Sequence, residues 1–294
     1  MLIIHGKETA RASMKNLTRV GFVALATLLH APLDAQEKKQ SADFLTVWPG
    51  MLPIILAAPH GGREAIPGVA ARRGIGVPQF TTERDNNTAE LAELVAGKIS
   101  ERLAAKPFLV IARFERKYVD VNRAGATAYE SAGAKPHYDA YHRALEAASH
   151  RVRQNWSAGV LLDIHGQGAA ADTIFRGTDN GKSVSALEQK FGREAMNGPK
   201  SILGQLAAKG YKIEPGAAAD GREHRYTGGY TTRTYGSHRG SRIDAIQLEF
   251  GTNLRSRRNL ERTANDLAEA IESFAKAYLP LAISRPREPA VTQP

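Results

Sequence analysis

The stretch GVLLDIHGQG, Gly159 to Gly168, decides how the rest of the chain is read. Val160, Leu161 and Leu162 make an aliphatic run of the kind found in a strand buried on both faces. The run ends in Asp163-Ile164-His165, and residues two apart share a face, so the carboxylate and the imidazole project to the same side. Gly166 and Gly168 are then expected to let the backbone turn sharply and to leave room beside the histidine. The carboxyl end of a strand is where open α/β sheets bind ligands.

Working outward, LPIILAAP (Leu52–Pro59) reads as another buried strand, running into HGGREAIPG. Thr88 to Leu103 has Ala89, Leu91, Leu94, Val95, Ile99 and Leu103 at helical spacing, with Thr88 as the expected N-cap. FLVIARF is the next strand, and YDAYHRALEAASHRVRQ is an amphipathic helix ahead of the opening stretch. Helices are expected over 184–195 and 199–209, the second closed by Gly210. IDAIQLEFG (Ile243–Gly251) is a further strand, and residues 257–278 form a closing helix. Strands alternating with helices predict a three-layer α/β fold with a mixed, largely parallel central sheet. The expected organisation is a leader over 1–35, a linker over 36–50, one domain over 51–280 and a loose tail over 281–294.

Composition narrows the function classes. The 294 residues carry a formal charge of +10, part of it in the leader, where Lys7, Arg11, Lys15 and Arg19 face only Glu8 and Asp34. Such a charge favours acidic partners. No zinc-finger spacing or aromatic-basic segment accompanies it, so nucleic acid is not an expected partner. The chain has no cysteine, which removes disulfides and thiol chemistry and restricts any metal site to His, Asp and Glu. MKNLTRVGFVALATLLHAPLDA has the basic start, short apolar run and small residues of a secretory signal, with Met14 as the better initiator. Its apolar run is too short to span a bilayer, so a periplasmic or secreted protein without stable membrane insertion is expected. No Gly-x-Ser-x-Gly elbow is present for a serine hydrolase.

Chemically capable residues collect at the predicted strand ends. His60 follows one strand, Asp163 and His165 finish another, Glu249 stands near the end of a third, and Asp85 lies just ahead of a helix. Two histidines from separate strands plus a carboxylate would make a three-ligand zinc set with a coordination position left open for water.

The segments APHGGREAIP, RDNNTAEL, ERKYVDVNRA, LLDIHGQG, GGYTTRTYG and AIQLEFG occur in an order that resembles the N-formylglutamate amidohydrolases, over roughly residues 53–275. The resemblance implies a zinc carboxypeptidase/phosphorylase-hydrolase-like fold and a metal-dependent amidohydrolase with one zinc ion per chain. On this footing His60 and His165 are metal ligands. Asp85 is the preferred acidic ligand, with Glu83 and Glu64 as alternatives. Glu249 matches the glutamate of the family's Gln-Leu-Glu strand and is the expected general base. Gly61 and Gly166 stand where the family often has hydroxyl residues.

Amide hydrolysis of an anionic substrate asks for further groups. Asp163 would orient a ligand imidazole. Arg123 would grip a substrate carboxylate with two parallel hydrogen bonds, Asn122 would add one more, and Asp120 would hold the arginine in place. Arg116 is the second choice of cation. The loop from Arg222 to Arg242, with five arginines and one acid, reads as a mobile anion-recruiting lid or a solvated surface. Tyr138 and His142, four apart on one helical face, would line the pocket or pack at the core edge. The expected substrate is a small anionic N-acyl amino acid or short peptide, with a cell-wall peptide amidase or a non-catalytic anion-binding protein as the alternatives.

Overall fold

The computed structural model describes residues 41–216 and 221–283, so the leader expected over 1–35 lies outside the described residues, as do residues 284–294 of the expected tail. Among the described residues one sheet of seven strands runs in the order β1-β3-β2-β4-β7-β5-β6. These are β1 (Leu45–Trp48), β2 (Ile54–Ala58), β3 (Phe108–Ala112), β4 (Gly159–Gln167), β5 (Thr173–Gly177), β6 (Lys212–Glu214) and β7 (Ile243–Gly251). Pairing is parallel for β2 with β3, β2 with β4, β4 with β7 and β5 with β6. It is antiparallel for β1 with β3 and β5 with β7. The sheet is therefore mixed and largely parallel, as the alternation of strands and helices predicts.

Helices cover both faces. On one side α1 (Thr88–Leu103) and α6 (Leu260–Tyr278) press Leu91, Val95, Ile99, Leu267, Ile271 and Phe274 onto Ile54, Leu56, Leu162, Leu248 and Phe250. On the other, α2 (Lys135–Asn155) packs Tyr141, Leu145 and Val152 against Ile55, Val110, Leu161 and Ala245. Shorter helices α3 (Ser185–Phe191), α4 (Ile202–Ala208) and α5 (Tyr230–Tyr235) complete the layers. No helix among the described residues is long and apolar enough to cross a membrane.

Several local expectations need correction. The stretch expected to be a linker over 36–50 contains β1, whose Leu45–Trp48 pairs with Ala112–Leu109. Thr88 is not the N-cap: Asn87 holds that place in a left-handed conformation, and the Thr88 hydroxyl donates to Asp85 O at 2.8 Å. The helix expected over 184–195 stops at Gly192, whose φ of 73° breaks it into α3 and a single turn, Glu194–Asn197. Strands β5 and β6 had no sequence signal, being short and interrupted by Arg176, Lys212 and Glu214.

The opening stretch also departs from expectation at one residue. Gly168 does begin a bend, but β4 runs straight through Gly166, which pairs with Phe250. Gly166 is small for another reason: a Cβ there would stand 2.6 Å from Cζ of the buried Arg255 guanidinium. That guanidinium cannot retreat freely, because it donates to the carbonyls of Phe250, Asn86 and Gln167. Gly166→Ala should thus cost about 1–3 kcal/mol of stability, the usual range for overpacking. A thermal melt equal to wild type would show that Arg255 yields without strain.

Candidate metal centre and substrate cleft

The site forms where the polar ends of three strands meet. In β4 and β7 the even-numbered residues turn into the layer under α1 and α6, and the odd-numbered ones turn to the α2 side. Beyond the cover of α2 the odd positions become polar, and parallel register sets Asp163 beside Gln247 and His165 beside Glu249. His60 arrives two residues past the end of β2. Asp85 comes from the turn before α1, its N–H donating to His60 O at 3.1 Å.

These side chains converge tightly. His60 Nδ1 lies 3.2 Å from His165 Nδ1, and Asp85 Oδ2 lies 3.2 Å from His165 Nδ1 and 3.5 Å from His60 Nδ1. All three residues are buried, and together they form a group able to hold a metal ion. The opposite ring nitrogens each face a carboxylate: His60 Nε2 meets Asp120 Oδ1 at 2.7 Å and His165 Nε2 meets Asp163 Oδ2 at 3.0 Å. Of the alternative acidic ligands, Glu64 and Glu83 are exposed and neither joins the group, although Glu83 lines the cleft in front of it.

Burial alone would push the Asp85 carboxyl up, but hydrogen bonds from His165 and His60 outweigh it and hold the group below its ordinary value. Asp120 is likewise held well below, burial being overcome by His60, Arg116 and Arg72. For His165 burial opposes the charge, while the Asp163 and Asp85 carboxylates raise its pKa well above the ordinary histidine value. Glu249 moves the other way: burial and the negative charge of Asp85 raise it, against the pull of His165 and His60. Its Oε1 accepts from Gln247 Nε2 at 2.8 Å. One carboxylate kept ionised beside another pushed toward neutrality is a pattern found at functional sites.

The group opens into a cleft of about 660 Å³. Arg116, Asn122 and Arg123 line it, as do Arg225, Tyr230 and Arg233. Asp120 holds the first three together, accepting from Arg116 Nε at 2.9 Å, Arg123 Nε at 3.1 Å and Asn122 N at 3.1 Å. Arg123 is less available than the sequence suggests. Its NH1 donates to Pro78 O at 3.0 Å and its NH2 donates to Gln79 O, so three of five guanidinium N–H bonds serve the protein itself. Asn122 is also engaged, with Nδ2 3.1 Å from His165 Nε2 and Oδ1 accepting from Thr231 N at 2.8 Å.

The arginine-rich loop is anchored where the reading as a mobile lid expects freedom. Buried Glu223 accepts from Arg176 Nε, from Thr178 Oγ1 and N, and from Asn180 N. Thr227 O accepts from Asp179 N at 2.6 Å. Sequence reasoning missed Glu223 and Arg255, and the visible signal for each was faint. Glu223 is the lone acid in a run of arginines, and Arg255 faces a glycine on a neighbouring strand.

The fold and this group of side chains define a class: an α/β layered protein with a buried His-Asp-His cluster at the carboxyl ends of its central strands. Comparison with known proteins agrees with the resemblance seen in the sequence. The N-formylglutamate amidohydrolase family model matches residues 128–254, which include β4 and β7 with His165 and Glu249 but not His60, Asp85 or Asp120. An N-formylglutamate amidohydrolase from Ralstonia eutropha JMP134 is similar in structure, with a TM-score of 0.55 at 17% identity, over 80% of this chain and 98% of that one. The gene product Atu2144 from Agrobacterium tumefaciens aligns with a TM-score of 0.52 at 17% identity, over 81% and 97%. A metallo-carboxypeptidase from Pseudomonas aeruginosa aligns with a TM-score of 0.42 at 13% identity, over 83% and 68%. No curated protein matches the sequence significantly.

Tyr138 and His142 do pack together, ring centroids 4.4 Å apart, behind the cleft wall. His142 donates from Nε2 to Val121 O at 3.0 Å and accepts at Nδ1 from the Tyr235 hydroxyl at 3.1 Å, an arrangement of the neutral ring. Burial lowers its pKa from 6.5 to about 4. A histidine depressed in the folded state contributes stability above pH 6.5 that is lost as pH falls from 6.5 toward 4, at most about 3 kcal/mol. His142→Gln should therefore show a flatter fall in melting temperature across that window than wild type. Parallel curves would mean the histidine is not buried as described.

Proposed function

We propose that the chain is a zinc-dependent amidohydrolase cleaving the amide bond of an N-acyl amino acid, or of a short peptide with a free carboxylate. The observation that carries this reading is the triangle of His60 Nδ1, His165 Nδ1 and Asp85 Oδ2, with edges of 3.2, 3.2 and 3.5 Å. Tetrahedral zinc with bonds of about 2.0–2.1 Å separates neighbouring donors by roughly 3.3–3.4 Å. Nitrogen and carboxylate donors without thiolate suit such an ion, and the carboxylates behind both rings would fix their orientation. The proton that Asp163 and Asp85 draw onto His165 is the one a cation would displace, since a ligating imidazole is neutral.

Zinc bound there would polarise the amide carbonyl and lower the pKa of a water. The protein's own residues divide the remaining work. Glu249 would take the water's proton and return it to the leaving nitrogen, helped by burial that raises its basicity. Arg123, with its two uncommitted N–H bonds, and Asn122 would orient the substrate carboxylate, and Arg116 would add positive charge beside Asp85. The match to the N-formylglutamate amidohydrolase family supports amide hydrolysis of N-acyl amino acids as the class of reaction. The basic and apolar leader supports a periplasmic or secreted address.

Purified wild-type protein should hold about one zinc per chain by elemental analysis, and His60→Ala or His165→Ala should lose it. Glu249→Gln should keep the metal and KM but lose about 10²–10⁴-fold in kcat on a panel of N-formyl amino acids. Retention of more than a tenth of kcat would remove Glu249 from the role of base, and loss of the metal would make it a ligand. Arg123→Ala should raise KM for free-carboxylate substrates by about tenfold or more, in keeping with a lost charge-assisted hydrogen bond. An equal loss on matching substrates whose carboxylate is amidated would give Arg123 another role.

A further inference from the structure

One corner of the triangle does not come from a sheet strand. His165 is held by β4 and His60 follows β2, but Asp85 sits in a turn of the chain that leads into α1. Its carboxylate accepts from Gly166 N at 3.1 Å, and its main chain donates to His60 O. The residues just after it are braced from across the sheet. Arg255 donates to Asn86 O from NH1 at 2.5 Å, to Phe250 O from Nε at 3.1 Å and to Gln167 O from NH2 at 3.3 Å. In return Asn87 Nδ2 donates to Arg255 O at 2.8 Å, and Asn87 is kept at φ 65°. One buried guanidinium thus ties together the end of β4, the end of β7 and the turn that bears Asp85. It fits because residue 166 is glycine.

We propose that Arg255 is a positioning residue that fixes the Asp85 carboxylate at its corner of the triangle and thereby tightens binding of a divalent transition metal. The inference rests on the metal reading given under the proposed function. The three bonds go to main-chain carbonyls, so Arg255 acts through the position of the turn. Its charge works in the opposite sense. Burial lowers the Arg255 pKa while the nearby charges of Asp85 and Glu249 raise it, which places the cation within their field. A cation in that field competes with a dication, so loss of its charge alone would tighten metal binding. Loss of the brace loosens it. The sign of the change separates the two.

The test uses full-length protein stripped with a chelator and titrated with zinc against a chromophoric competitor, at a temperature where circular dichroism shows each variant folded. Arg255→Gln should weaken zinc binding about 10–100-fold, the range for partners that orient metal ligands. Arg255→Lys keeps the charge without the planar fork and should also weaken binding, by a smaller factor. Unchanged or tighter binding in the folded glutamine variant would overturn the proposal. Should that variant fail to fold, the lysine variant decides by the same criterion. Wild-type protein that binds no zinc would overturn this inference and the metal reading together, whereas wild-type binding with unaffected variants overturns only the role of Arg255.

Discussion

Nine residues of β4 pair in parallel with nine of β7, from Gly159 with Ile243 to Gln167 with Gly251, and the site hangs on that register. It sets His165 beside Glu249 and Asp163 beside Gln247, all four on one face. A slip of β4 by one residue would turn the His165 imidazole and the Asp163 carboxylate into the apolar layer under α1 and α6, and would bring Ile164 to the cleft. Such a slip is strongly disfavoured, because Leu162, Ile164, Ile246, Leu248 and Phe250 are each at most 2% exposed in that layer. The hydrophobic pattern that folds the sheet therefore also aligns the polar groups.

Those polar groups are tolerated inside the protein only because each has a partner. A buried carboxylate without one costs several kcal/mol. Asp120 is fully buried, yet its two oxygens receive His60, Arg116, Arg123 and the N–H of Asn122. The same carboxylate thus orients a ring of the His60-Asp85-His165 triangle and part of the cleft lining. Arg255 braces the turn that bears Asp85, with three main-chain carbonyls as its partners. The triangle is thus braced at His60 and at the turn that bears Asp85.

Much of this was legible in the sequence where a run of residues carried one signal. The aliphatic runs gave β2, β3, β4 and β7, and the 3.6-residue spacing gave α1, α2 and α6 within a few residues. His60, Asp163, His165 and Glu249 stood out because polar residues at the ends of buried strands need a reason, and Asp85 because it stands just ahead of a helix in a segment that carries the family resemblance. Less visible was anything decided by contacts far apart in the chain. Strand β1 is only four residues long and partly exposed, so it passes for a linker until it pairs with β3. Gly166 reads as a turn, since nothing local shows that Arg255 will occupy the space. Arg123 reads as an open anion clamp because the carbonyls of Pro78 and Gln79, more than forty residues earlier, are not visible beside it. Glu223 hides among arginines, and only the folded chain reveals it as the anchor of their loop.

The central claim is that His60, His165 and Asp85 form one metal site through the atoms that face one another. Anomalous diffraction from crystals of the zinc-loaded protein, collected on both sides of the zinc absorption edge, tests it most directly. The account predicts a single strong peak about 2.0–2.2 Å from His60 Nδ1, His165 Nδ1 and an Asp85 carboxylate oxygen, with Nε2 of each ring still on its carboxylate. A peak coordinated elsewhere, or by the Nε2 atoms, or none at this site would contradict it.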